Sequence, residues 1–489
     1  MVSERPWWRS PAFLTLLVLA LGLALRLLLL EREDLWYDEA ISITQARQDL
    51  AGLVRATAAD NYPPLHNLLL HFWIEFFGVS AFATRMLSVT FSVLAIWMAG
   101  RVAKLVFDER GGERAGLIAM LLMAVAWFQI KHGQETRMYA LFAFLALWSS
   151  ERLVLWLRAP STRTLCAYVA TTTLLAYCHY FAIFFIACQS MAVFVLWLGS
   201  RKPPLLPWVL GQLVVVVLFL PWLSPMLGRV GAVQGDFWIE RPTPGSLVKS
   251  FKFVWHMAAP LVLLFILIAV QPRLPRLKRA PAWLREPFSE PAQTRLVLFL
   301  PFAGSFALAF VLSYVMQPIY LERYLIAATT VATVLCAGGI ARVTRGDQQA
   351  LLVALLVAVS VPELFVYYHA PREPLWRAAA AEVQRDGGSS DMLLVWPPSN
   401  SVCLDSDFVG PLPPLIELPH RHLLWSHDDI IEALEPTRQA RSVWFFRERH
   451  FSEPATKLHD MLAHERPLLS QNGYASMTLE HFGPRYRER

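Results

Sequence analysis

The sequence predicts a polytopic α-helical membrane protein, with about eleven transmembrane helices and a small α/β domain after residue 369. Three observations carry that expectation. The 489 residues are 55% hydrophobic and only 17% charged, with a mean hydropathy of +0.41, whereas a soluble chain usually carries about 25% charge. Apolar runs of membrane-spanning type recur, as at 12–30, 115–130, 165–199, 206–227 and 348–368. Basic residues collect in alternate connections between the runs.

Spans are expected near 11–30, 83–102, 115–131, 138–157, 164–178, 181–199, 206–227, 251–270, 296–316, 324–341 and 348–368. The first run follows Arg5 and Arg9, but it is longer than a signal-peptide core and no A-x-A-like cleavage site follows it. It reads as a retained helix, with Arg26 near its end snorkelling to the lipid headgroups. On the side of the N-terminus lie Arg101, Lys104, Arg110, Arg114, Arg152, Arg158, Arg163, Arg201 and Lys202. The cluster Arg273, Arg276, Lys278, Arg279 and Arg285 follows on the same side, then Arg342 and Arg345. Lys/Arg bias makes that side cytoplasmic. The segment 31–82 and the C-terminal region are then extracytoplasmic. These loops account for much of the net charge of +6, so no nucleic-acid partner is needed to explain it. Five cysteines without a Cys-x-x-Cys spacing make neither a disulfide framework nor a thiolate metal site.

Four regions stand apart from the spans. The first outer loop, 31–82, contains the apolar stretch 65–78, which suits a helix lying in the membrane interface and ending at Gly78. Residues 228–250 form a second outer loop with Asp236, Glu240 and Arg241, and 271–295 a basic, proline-rich cytoplasmic loop. From 370 to 489 the composition is that of a soluble domain, separate from the membrane domain 1–369. Strands are expected at 392–396, 442–446 and 474–482, and helices at 376–384 and 454–463. No Gly-rich phosphate loop occurs there.

Polar residues gather at five places, all expected on the extracytoplasmic side. They are Asp38-Glu39 in L-W-Y-D-E-A, Asp60 with Tyr62-Pro63-Pro64-Leu65-His66, the run His132, Gln134, Glu135, Arg137, Tyr139, the turn His179-Tyr180, and Glu322-Arg323-Tyr324. Ionisable groups at membrane depth default to function. Each also has a plain reading. Asp38 and Glu39 suit the positive end of a helix, Arg137 suits a snorkelling anchor beside Lys131, and His179-Tyr180 suits a satisfied polar turn. Their convergence on one face favours a site.

The segments L-W-Y-D-E-A, N-Y-P-P-L-H, F-G-V-S-A-F-A-T-R-M-L-S and H-G-Q-E-T-R-M-Y-A-L resemble the GT-C superfamily of integral membrane glycosyltransferases. The resemblance is closest to bacterial proteins related to protein O-mannosyltransferases and the lipid A aminoarabinose transferase. It is specific over 12–150 and returns at Pro318–Leu325. It implies a multi-pass enzyme of the bacterial plasma membrane, with a polyprenyl-phosphate sugar donor and a lipid, glycan or protein acceptor. It also implies that Asp38 is the principal acid, with Glu39 its neighbour, and that the Gln134-Glu135-x-Arg137 segment holds the donor phosphate or a metal.

The chemistry is consistent with that implication. An acceptor hydroxyl attacking a sugar C1 needs a base, the role expected of Asp38. Phosphate is a good leaving group that needs charge stabilisation, which Arg137 and Arg323 are suited to give. Asp60, His66, Gln134, Glu135, Tyr139, His179, Tyr180 and Tyr324 complete the expected substrate contacts. Metal use stays open: Glu39 and Glu135 offer oxygen ligands suited to Mg²⁺ or Mn²⁺, and adding His66 would favour Zn²⁺. Direct displacement at C1 would invert the anomeric centre. Two other readings stand beside this one, a transporter or lipid flippase with ion-coupling acids and, within the class, a protein O-mannosyltransferase.

Overall fold

The computed structural model describes residues 10–108, 111–200, 203–232, 239–270, 290–315, 317–342, 346–369, 375–416, 418, 431–432, 434–448 and 453–486. Arg5, Arg9, Arg110, Arg201, Lys202, Asp236, Arg345 and the basic stretch 271–289 lie outside these residues. Contacts divide the chain into two compact units. One comprises 1–28, 48–72 and 85–368, the other 29–47, 73–84 and 369–489.

The first unit is helical. Among the described residues, eight helices are long and apolar enough to cross a membrane, nine if one bent pair is taken as a single span. Pro11–Leu27 and Thr162–Ala176 form where expected, but with 17 and 15 residues they fall short of that length. The expected span at 115–131 is broken into Gly112–Val125 and Trp127–Gly133, which meet at 63°. The apolar run is continuous through the break, so its cause lies in tertiary contacts. Trp127 Nε1 donates to the Val254 carbonyl at 3.1 Å, and Arg26 donates to the carbonyls of Met123 and Ala124 at 3.2 and 3.1 Å.

Arg26 therefore does not snorkel. It is fully buried, and its guanidinium also donates to Ser92 Oγ at 2.6 Å and the Gly22 carbonyl at 3.0 Å. Carbonyls that a helix end leaves open must find donors when no water is near. Replacing Arg26 by Met keeps the bulk and removes every donor. About 3 kcal/mol of stability is expected to be lost, read as a lower melting temperature of the full chain in detergent.

Ile326–Ala341 lies at the centre, with all of its residues buried. Close packing there rests on small residues: a Cβ on Gly339 would meet the Phe265 carbonyl oxygen at 2.0 Å. The expected span at 251–270 starts earlier, as Pro244–Trp255, and continues as Ala259–Val270 after a 3₁₀ turn. His256 opens that turn with φ +43°.

In the second unit, β1 (Met392–Trp396), β2 (Val443–Glu448), β3 (Leu468–Tyr474) and β4 (Met477–Phe482) form one sheet in the order β1-β2-β4-β3. β1 and β2 are parallel, and the β2–β4 and β3–β4 pairs are antiparallel. Alternate side chains go to opposite faces. Leu394, Val443, Phe445 and Phe482 pack with Ala455, Leu458 and Leu462 of the helix Glu453–Glu465. Leu393, Trp444, Phe446 and Leu479 pack with Trp376, Ala379 and Val383 of Trp376–Asp386, and with Ala40. The strand expected at 474–482 is instead one arm of a hairpin. Ala475, at φ +53°, turns the chain between β3 and β4.

Candidate active site

Asp38 and Glu39 occupy the first turn of the helix Tyr37–Ala46, in the second unit. Pro-free, β-extended Trp36 precedes the helix, and Glu39 Oε2 accepts the Trp36 backbone N–H at 3.4 Å. Glu39 is fully buried, while Asp38 is half-buried and its carbonyl accepts from Ser42 Oγ at 2.8 Å. The same helix contributes Ala40 to the core beneath β2 and β4, so the acids ride on a packed element. Arg47, just past its end, pairs with Asp405 and Asp407 at 3.1 and 2.5 Å.

The first unit brings together most of the other expected residues. The loop after Trp127–Gly133 carries Gln134, Glu135 and Arg137 into Tyr139–Arg158. Glu135 Oε2 lies 2.8 Å from His132 Nδ1, and its Oε1 lies 3.8 Å from Lys131 Nζ. Burial acts to raise the Glu135 carboxyl, but His132, Lys131 and Arg323 outweigh it and hold the group well below the usual carboxylate range. It is a carboxylate at any working pH. Arg137 is buried, with its guanidinium carbon 4.4 Å from the Tyr62 ring centroid. That stacking answers the anchor reading: Arg137 is held inside the protein.

His66 and His179 flank this arginine. The Leu65 backbone N–H donates to the Tyr177 carbonyl at 3.1 Å, tying the start of the helix Leu65–Phe77 to the 177–181 turn. His179 is enclosed by aromatic rings, Phe142 stacked at 5.0 Å, Tyr324 at 5.2 Å, Tyr139 at 6.0 Å and Tyr62 at 6.1 Å. Its Nδ1 accepts the Phe181 N–H at 3.1 Å, so a neutral ring carries its proton on Nε2. His66 Nδ1 faces Asn67 Oδ1 at 3.1 Å, so its Nε2 is the acceptor. Both Nε2 atoms are buried and have no hydrogen-bond partner among the described residues. The pair therefore offers one open donor and one open acceptor.

Burial lowers His66 to about 4, against its Asn67 hydrogen bond and with the Arg137 charge adding to the fall. Burial lowers His179 to about 3, helped by Arg137 and Arg323. Both are neutral in the native state at neutral pH. Below about pH 6.5 the unfolded chain takes up protons that these native rings refuse, so stability falls as pH drops through that range. The melting temperature of the full chain is expected to decline from about pH 7 to about pH 4, and less steeply in His66→Gln and His179→Gln.

Four expected residues are engaged with the chain itself. Gln134 Nε2 donates to the carbonyls of Arg26 and Leu28, both at 2.9 Å, and its Oε1 accepts from Tyr367 OH at 2.6 Å. It holds the end of Pro11–Leu27. Tyr180 OH accepts from Trp222 Nε1 at 3.2 Å, and Asp60 Oδ1 accepts the Asn61 N–H at 2.7 Å after the helix Leu50–Ala58. Glu322 accepts from Ser250 Oγ at 2.8 Å, and the Arg323 guanidinium carbon lies 5.6 Å from the Tyr324 ring. Sequence reasoning missed the Tyr62–Arg137 stack and the Ser250 contact. Their partners are far apart along the chain, and no local pattern marks them.

Among the described residues, no three His, Cys, Asp or Glu side chains are grouped to hold a metal ion. Glu135, one of the expected ligands, is engaged by His132 and Lys131.

Residues 61–224 match the family model described as dolichyl-phosphate-mannose-protein mannosyltransferase. The fold is similar to that of ArnT from Cupriavidus metallidurans in the apo state, with a TM-score of 0.59 at 12% identity over 95% of this chain and 97% of that one. ArnT bound to undecaprenyl phosphate gives a TM-score of 0.56 at 13% identity, over 96% and 97% of the two chains. The Archaeoglobus fulgidus oligosaccharyltransferase in complex with Zn and sulfate gives 0.54 at 12% identity, over 88% of this chain and 67% of that one. No curated protein matches the chain by sequence. These structures share the fold described above, a multi-pass helical chain with a small C-terminal sheet domain.

Proposed function

We propose that the protein transfers a sugar from a polyprenyl phosphate to an acceptor hydroxyl at the extracytoplasmic face of a bacterial plasma membrane, with inversion at C1. The acceptor oxygen bonds to C1 as the bond from C1 to the phosphate oxygen breaks. The acceptor proton passes to Asp38, and polyprenyl phosphate leaves. Arg137 and Arg323 stabilise the charge that grows on the leaving phosphate. His179 donates from Nε2 to a phosphate or sugar oxygen, and His66 accepts a sugar hydroxyl on Nε2. Glu135 and Gln134 position the loop that carries Arg137, and Glu39 braces the turn that carries Asp38.

The observation that carries this reading is the buried cluster in the first unit. It combines Arg137 on Tyr62, nearby Arg323, and two neutral histidines with unfilled Nε2 positions. Such a site suits an anion joined to a polyhydroxy group. A solved relative in the same fold, ArnT, is recorded with undecaprenyl phosphate. The test is to incubate the purified full chain with a panel of polyprenyl-phosphate hexoses and pentoses plus envelope lipid, glycan and protein acceptors. Release of polyprenyl phosphate with an acceptor-linked sugar of opposite anomeric configuration is expected. Retained configuration would remove the single-displacement step.

A further inference from the structure

A separate polar feature lies in an apolar groove of the first unit, whose lining includes none of the residues assigned above. The groove encloses about 890 Å³ and is lined by Phe251, Phe302 and Phe306, with Lys252, His256 and Glu363 as its ionisable groups. Glu363 comes from the apolar helix Gly346–His369. Its side chain is only 10% exposed, and its Oε2 is buried with no hydrogen-bond partner among the described residues. The nearest cationic candidate is His256, whose Nδ1 stands 3.9 Å from Glu363 Oε1, beyond hydrogen-bond reach.

The backbone at this point is also unusual. Pro244–Trp255 stops where His256 takes φ +43°, inside a segment long and apolar enough to cross a membrane. Broken helices at membrane depth persist where they line a cavity. The Pro244–Trp255 helix ends at His256, so the negative end of its dipole lies there. A buried carboxylate oxygen lacking a donor and a helix C-terminus both favour a cation with N–H groups. Lys252, one turn earlier on the same groove, favours an anion.

We propose that this groove binds a bilayer phospholipid with a primary ammonium headgroup, of the phosphatidylethanolamine kind. The ammonium donates to Glu363 Oε2, the phosphate faces Lys252, and the acyl chains cover Phe251, Phe302 and Phe306. A quaternary ammonium has no N–H to donate, and a glycerol headgroup brings no cation, so both fit Glu363 less well. The groove's volume lies within the roughly 300–1,000 Å³ usual for pockets that hold small molecules. This inference needs only that the chain spans a membrane, and it is independent of which sugar is transferred.

The test uses the full chain in detergent with equal amounts of phosphatidylethanolamine, phosphatidylcholine and phosphatidylglycerol of identical acyl chains, with retained lipid counted by native mass spectrometry. Wild-type protein is expected to favour phosphatidylethanolamine by about 10- to 100-fold, the worth of hydrogen bonds to one buried charge. Glu363→Gln is expected to abolish the preference while phosphatidylglycerol retention stays unchanged. Equal retention of all three lipids by the wild type would overturn the proposal without recourse to any variant. So would an unchanged preference in Glu363→Gln, or displacement of the phospholipid by polyprenyl phosphate, which would assign the groove to the donor's tail.

Discussion

Asp38→Asn is expected to slow sugar transfer about 10²- to 10⁴-fold, the usual effect of losing a general base. Asparagine keeps the size and polarity of the side chain but cannot take the acceptor's proton. The packing of the Tyr37–Ala46 helix rests on Ala40, Ile43 and the capping carboxylate of Glu39, none of which the change touches. The melting temperature should therefore move little, since an acid in a helix's first turn contributes only about 0.3–1 kcal/mol. The two readings of Asp38 separate on this measurement. If Asp38 only complements the helix dipole, stability falls slightly and turnover is kept. As a base, turnover collapses in a folded protein.

Arg137→Met is expected to lower kcat about 10²- to 10³-fold, the typical result of removing one preorganised group from a developing oxyanion. Arg137→Lys should recover part of the loss, because it returns the charge but not the planar fork that engages two phosphate oxygens. The split between kinetic constants distinguishes this role from a structural one. A group that acts on the leaving phosphate lowers kcat, whereas one that only holds the donor raises KM. Loss of the stack on Tyr62 will also cost stability, so the Lys variant, which keeps a cation near the ring, is the informative partner.

Much of the architecture was legible because membrane spans and sheet faces are written in short-range periodicity. The apolar runs became helices close to their expected positions, and M-L-L-V-W and V-W-F-F became the parallel β1–β2 pair with alternate residues on two cores. What was not legible depends on partners distant along the chain. The break after Val125 is held by Arg26 and by the Val254 carbonyl, neither of which is visible from an unbroken apolar run. Ala475 makes its turn without an Asn-Gly or Asp-Gly signal, so the β3–β4 hairpin read as one strand. The site showed the same limit. H-G-Q-E-T-R drew attention to this loop, but only the fold separates Arg137, stacked on Tyr62, from Gln134, which holds a helix end. Glu363 escaped notice because a single acid in a long apolar run has no local partner to announce it.

The central claim is that this chain breaks the bond between a sugar and a polyprenyl phosphate. The most direct measurement places the purified protein in liposomes with one radiolabelled sugar, supplied either on polyprenyl phosphate or on a nucleoside diphosphate, and follows both the label and the lipid. Free polyprenyl phosphate, with the label moved to an acceptor, is expected from the lipid-linked donor only, and not from Asp38→Asn. Movement of the intact lipid-linked sugar across the bilayer with no bond cleaved would contradict the account and make the protein a transporter.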